Sequence, residues 1–214
     1  MNYFAHALLF FDRPYHMAGT GVPDWLSVVD RRVRVRVRHA EAFLQDDRPW
    51  VAEVAGGVVQ HLQDDARFHA TRAFAETSLE LAVLARDVLP GDSGLRPAFL
   101  GHLLVEMLLD AALIAENPER LDTYYRVLAS VDPARVEAAV NCMAPCRTDR
   151  LALLIGHFCR ERILWNYLED DKLWLRLNQV MQRVHLPPLP QTFMAILPVA
   201  RDLVAARRNE LICS

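Results

Sequence analysis

Apolar positions along the chain come in blocks separated by proline or glycine, and the blocks have the length of helices rather than strands. They predict helices near 24–30, 38–46, 49–71, 73–88, 96–116, 118–130, 133–143, 147–169, 171–184 and 191–209, with breaks at "DDRPW", "LPGDSGLRP", "ENPER", "VDPAR" and "HLPPLP". The opening "MNYFAHALLFFD" is apolar almost all round, which predicts a short buried helix holding His6 and stopping near Pro14. The stretch "MAGTGVPDWL" reads as a turn, since two glycines and Pro23 disfavour continuous helix, and it leaves Asp24 at a helix start. One segment departs from the helical period. In "VDRRVRVRVRH" valine alternates with arginine from 33 to 38, the period of a strand, so a short exposed ribbon or an irregular basic loop is expected there.

No repeat of 20–50 residues and no Ser/Gly/Pro-rich or single-charge linker divides the 214 residues, so the expectation is one all-α domain, a compact helical bundle. With 52% apolar residues and only eight glycines the balance suits packed helices. A formal charge of −3 argues against generic nucleic-acid binding. Four cysteines, with no secretory leader pattern at the start, read as free thiols in a cytoplasmic protein. The run "AFLGHLLVEMLLDAALIA", 98–115, nearly has the length to span a bilayer, but His102, Glu106 and Asp110 make it an unconvincing membrane helix.

Those same three residues carry the main chemical signal. His61, Asp65 and His69 in "HLQDDARFH", and His102, Glu106 and Asp110 in "GHLLVEMLLD", each repeat at a four-residue step, which aligns them along one helix face. Four residues advance a helix by about 6 Å, so adjacent rungs can share an ion whereas the outer two, about 12 Å apart, cannot. Each ladder therefore offers two ligands and a supporting residue, or the ladders together hold a pair of metals. Glu106 sits among Leu, Val, Met and Ala with no Lys or Arg between 97 and 119, so burial would demand a cation, a proton or a metal beside it. An internal polar network is the plainer alternative.

His6 and Asp24 join the candidate ligands, although a satisfied core histidine and an N-cap are the ordinary uses of such residues. Asp64 is a possible alternative to Asp65 as the partner of His61. His16, His39 and His185 are expected at the surface. Cys142, Cys146, His157 and Cys159 have an unusual spacing for zinc, with Pro145 between them, and buried thiols are the simpler reading. Arg31, Arg32, Arg34, Arg36 and Arg38 are either a solvated face or, through guanidinium–phosphate pairing, a landing place for an anionic partner. There is no nucleophile elbow, Walker A loop, H-E-x-x-H or E-x-x-H motif.

At these residues the chain resembles the acyl carrier protein phosphodiesterases, an all-helical group near the HD-domain phosphohydrolases. "MNYFAHA" resembles the family's Met-Asn-Phe-Leu-Ala-His start, and "AGTGVPDW" its Gly-Asn-x-x-x-Asp-Phe turn at Gly19 and Asp24. "GVVQHLQDDARFH" matches a Gly-x-x-x-His-x-x-x-Asp-x-x-x-Asp segment at Gly57, His61 and Asp65, with His69 in place of the last Asp. In "GHLLVEMLLD" His102 and Glu106 stand for a pair of aspartates, and Tyr167, Leu177 and Arg183 match a stretch near the end. The chain lacks the family's middle-motif arginine, has Asp64 where a basic or apolar residue is usual, and contains no literal His-Asp doublet.

The resemblance implies an HD-like fold, manganese or a similar divalent ion, and hydrolysis of the phosphodiester between phosphopantetheine and a carrier-protein serine. The expectation is thus a divalent metal, manganese or iron before magnesium or zinc, held by His6, Asp24, His61, Asp65, His69, His102, Glu106 and Asp110. Asp65 or Glu106 serves as base, and Arg31, Arg34 and Arg38 hold the substrate phosphate or acyl carrier protein. An HD-like di-iron oxygenase and a non-catalytic helical binding protein are the alternatives, and a homo-oligomer is compatible with either. Neither nucleic acid nor membrane is an expected partner.

Overall fold

The computed structural model describes residues 1–91 and 94–212, and it is all-α, with no strand among the described residues. In chain order the helices are α1 (Tyr3–Ala7), α2 (Pro14–Val29), α3 (Val37–Glu41), α4 (Pro49–His69), α5 (Arg72–Val88) and α6 (Pro97–Glu116). They are followed by α7 (Pro118–Ala129), α8 (Pro133–Met143), α9 (Leu151–Glu161), α10 (Asp170–Arg183), α11 (Leu197–Ala206) and α12 (Arg208–Ile212). Two 3₁₀ segments, Ile163–Leu168 and Gln191–Ile196, precede α10 and α11. The breaks foreseen from proline are real starts: α4, α6, α7 and α8 each open on one, where its missing N–H would have had no helical partner. Side-chain caps fix other starts. Asn2 accepts from Tyr3 N, Thr71 from Phe74 N and Asp132 from Ala134 N.

The helices group into two compact units, each assembled from segments distant in sequence. The first comprises Asn2–Ala66 and Asn117–Arg162. Its core is aromatic: Trp25, Tyr3, Tyr124 and Phe158 pack with ring centroids 4.9–6.5 Å apart. Here the expected turn at "MAGTGVPDWL" is overturned, because Gly19, Gly21, Pro23 and Asp24 all lie inside α2. The glycines are contact points. A Cβ on Gly19 would lie 2.5 Å from the Val54 carbonyl oxygen, and one on Gly57 would lie 2.0 Å from that of His16, so only glycine lets α2 and α4 approach this closely. Asp24 is consequently a mid-helix residue and not a cap.

The basic segment keeps its alternation without becoming a strand: Val33 and Val35 are buried while Arg31, Arg32, Arg34, Arg36 and Arg38 are exposed. Its guanidinium groups bond locally, Arg32 to Asp30, Arg31 to the Ser27 carbonyl and Arg34 to the Arg31 carbonyl. His16, expected at the surface, is buried against the Phe10 ring at 4.3 Å. His39 is half-buried, and His185 is exposed as expected. Cys142 and Cys146 are exposed and Cys159 is partly covered, so these are free thiols but not buried ones.

The second unit comprises Met1, Arg67–Glu116 and Ile163–Ser214. Its spine is α6, which packs against α5 and α11. Leu100, Leu104, Leu108, Leu109 and Ile114 are completely buried or nearly so, each contributing about 2 kcal/mol of transfer free energy. Another glycine sets the α5–α6 crossing, since a Cβ on Gly101 would sit 2.2 Å from the Ser78 carbonyl oxygen. By length and composition α6 could cross a membrane, with a mean hydropathy of 1.8, yet 61% of that window is buried within the fold. Burial against α5 and α11 accounts for its apolar character without a bilayer.

Candidate metal centres

The ladders divide as the helical rise requires. Of the first ladder, His61 and Asp65 on α4 converge with His6 of α1, in the first unit. The third rung, His69, groups instead with His102 and Glu106 of α6, in the second unit. Each group offers two imidazole nitrogens and one carboxylate oxygen within 4.8 Å of one another, close enough to be bridged by one ion with bonds near 2.1 Å. Neither group includes Asp24 or Asp110. Asp24 is a half-buried residue of α2, and Asp110 is completely buried in α6.

In the first group His6 and His61 are each 2% exposed, and their rings lie 4.1 Å apart. His61 Nδ1 is 2.8 Å from the Thr20 carbonyl oxygen. A carbonyl only accepts, so Nδ1 donates to it and Nε2 is the nitrogen left to face Asp65. His61 Nε2 lies 3.4 Å from Asp65 Oδ2, and His6 Nε2 is 3.1 Å from Asp65 Oδ1.

Burial alone would lower the His6 imidazole, but the facing carboxylates of Asp64 and Asp65 outweigh it and raise its pKa from 6.5 to about 9. Burial likewise disfavours ionised Asp65, yet bonds from His6 and His61 hold it well below the usual carboxylate range. The proton on His6 thus occupies the place a cation would take.

The second group is more open: the side chains of His69, His102 and Glu106 are 31%, 41% and 18% exposed. Both imidazoles aim Nε2 at the same oxygen, His69 at 2.9 Å and His102 at 3.3 Å from Glu106 Oε1. Phe74 of α5 backs both rings, 4.8 Å from His69 and 4.9 Å from His102. Against the penalty of burial, the bonds from His102 and His69 lower the Glu106 pKa from 4.5 to about 2. The partner that sequence alone demanded for Glu106 is met by several groups at once, since the Met1 amino group also lies 3.4 Å from Oε1, beside the two imidazoles.

Sequence reasoning missed two features. The Thr20 carbonyl that fixes the His61 ring is a backbone group and leaves no trace in residue identity. Asp64, weighed as a partner of His61, faces His6 instead, with Oδ2 3.7 Å from Nδ1. No family model, no curated protein and no solved structure matches the chain.

Proposed function

We propose that this protein is a divalent-metal phosphodiester hydrolase with two metal centres, one at His6, His61 and Asp65, the other at His69, His102 and Glu106. The observation that carries this reading is the set of donors: twice, two imidazoles and one carboxylate converge, with a ring nitrogen of each histidine facing the carboxylate. Sets of two histidines and one carboxylate leave coordination positions open for water and substrate, as in hydrolytic zinc sites. When bound, such an ion supplies Lewis acidity at a phosphoryl oxygen and lowers the pKa of a coordinated water from about 15.7 towards about 7.

The protein's own contribution follows from the fold. His61 is locked in one tautomer by Thr20, so its orientation is set before any ion arrives. The half-exposed imidazoles of the second group place that centre within reach of a bulky substrate, whereas the first is screened. Depressed pKa values suit Asp65 and Glu106 to ligand duty better than to taking a proton at neutral pH. The exposed arginines Arg31, Arg34 and Arg38 are suited to an anionic substrate or protein. Combined with the sequence resemblance, this makes phosphopantetheine on a carrier protein the first substrate to try, and an HD-like fold the corresponding architecture.

The test is metal analysis of protein purified without added metals, followed by assay of a bis-aryl phosphodiester and of holo carrier protein. Less than a tenth of an equivalent of metal, with no activity on reconstitution with manganese, would instead favour a polar core in a binding protein. The same two-imidazole, one-carboxylate sets also suit ferrous iron in oxygenases. Oxygen uptake by the iron-loaded protein, without phosphodiester turnover, would favour that second reading.

A further inference from the structure

His6 is closed off from solvent, and its two ring nitrogens meet different fates. Nε2 faces Asp65, while Nδ1 is buried without a hydrogen-bond partner among the described residues. Asp64 Oδ2 lies 3.7 Å from Nδ1, beyond hydrogen-bond length. Asp64 is itself held. Gln60, one turn earlier on α4, donates from Nε2 to Asp64 Oδ1 at 2.8 Å, which leaves the other carboxylate oxygen directed at His6.

We infer that Gln60 and Asp64 form an orienting pair for His6, with Asp64 accepting the Nδ1 proton once Nε2 is engaged by a metal. The inference rests on the proposed centre at His6, His61 and Asp65. A neutral imidazole has one proton to place. If Nε2 donates its lone pair to an ion, that proton must sit on Nδ1, where it would be buried with no acceptor unless Asp64 closes the gap by about 1 Å. A carboxylate behind a ligating histidine fixes the ring and raises its basicity, and losing such a partner typically weakens metal binding 10- to 100-fold. His61 has the same arrangement with a backbone acceptor, the Thr20 carbonyl. The two imidazoles of this centre would then both be oriented through Nδ1, one by main chain and one by Asp64. Asp64 is a positioning residue in this account and contacts neither ion nor substrate.

The experiment measures Co(II) binding by visible absorbance in a His102→Ala background, which isolates the first centre, with folding checked by circular dichroism. The reference protein should bind cobalt and lose it on His61→Ala; failure of either sinks the metal centre itself and is read separately. Given that, Asp64→Ala should weaken cobalt binding 10- to 100-fold, and Asp64→Asn should recover most of it, because an amide oxygen accepts the same proton. Gln60→Leu should give a smaller loss in the same direction. In the zinc-loaded protein the His6 Nδ1 proton should be seen by NMR as a slowly exchanging signal and disappear in Asp64→Ala. Unchanged cobalt affinity in Asp64→Ala overturns the inference. So does complete loss in both Asp64→Ala and Asp64→Asn, which would make Asp64 a ligand.

Discussion

Raising the pH of metal-free protein tests the charge balance around His6 directly. In the metal-free fold the His6 pKa is raised from 6.5 to about 9, the opposing effect of burial being outweighed by Asp64 and Asp65. A group that binds its proton more tightly when folded stabilises the fold fully below its unfolded pKa and loses that contribution as pH rises through the folded value. At about 1.4 kcal/mol per pH unit, the rise corresponds to roughly 3 kcal/mol lost between pH 6.5 and 9. That figure counts the His6–Asp65 interaction once, although it also depresses the Asp65 carboxyl. The assay is urea denaturation in EDTA across this range, comparing the wild type with His6→Gln, which has no titrating ring. The wild type should weaken by a few kcal/mol while the variant stays level. A flat wild-type profile, or stability rising with pH, would refute the assignment of a protonated His6 between two carboxylates.

Other outcomes follow from the same geometry. His16 behaves oppositely: burial and then Arg13 lower its pKa to about 4, so its contribution is complete above pH 6.5 and lost as pH falls towards 4; His16→Leu should flatten the acid limb in the same denaturation series. On the proposed two-metal reading, His61→Ala in manganese-loaded protein should lose metal at the first group and keep it at the second, and His102→Ala the reverse, as read by elemental analysis after dialysis. Gly57→Ala drives a methyl to 2.0 Å from the His16 carbonyl oxygen, a main-chain clash without a flexible neighbour to yield, and should destabilise by about 3 kcal/mol or prevent folding, measured by thermal denaturation. Replacing Arg31, Arg34 and Arg38 with Ser should leave bound metal unchanged and raise KM for an anionic substrate several-fold, most strongly at low salt; an unchanged KM would reduce the segment to a solvated face.

Much of this protein is written locally. Prolines mark where α4, α6, α7 and α8 begin because the first helical N–H needs no partner, and the alternation of valine and arginine at 33–38 foretells which side chains are buried even though no strand forms. The four-residue step placed His61 beside Asp65 and His102 beside Glu106, since a helix fixes that spacing by itself. What residue order could not decide is which third side chain each pair acquires. His6 and His69 reach their partners across 59 and 37 residues, through packing set elsewhere. The glycines at 19 and 21 show why local rules fail there: as isolated letters they forecast a turn, but Gly19 against Gly57 is a close helix crossing whose favourable packing outweighs the poor helix propensity of glycine. Tertiary contact likewise turned Asp64 from a partner of His61 towards His6 and sank His16 into the core, because burial and the direction of a side chain depend on neighbours that composition and periodicity do not name.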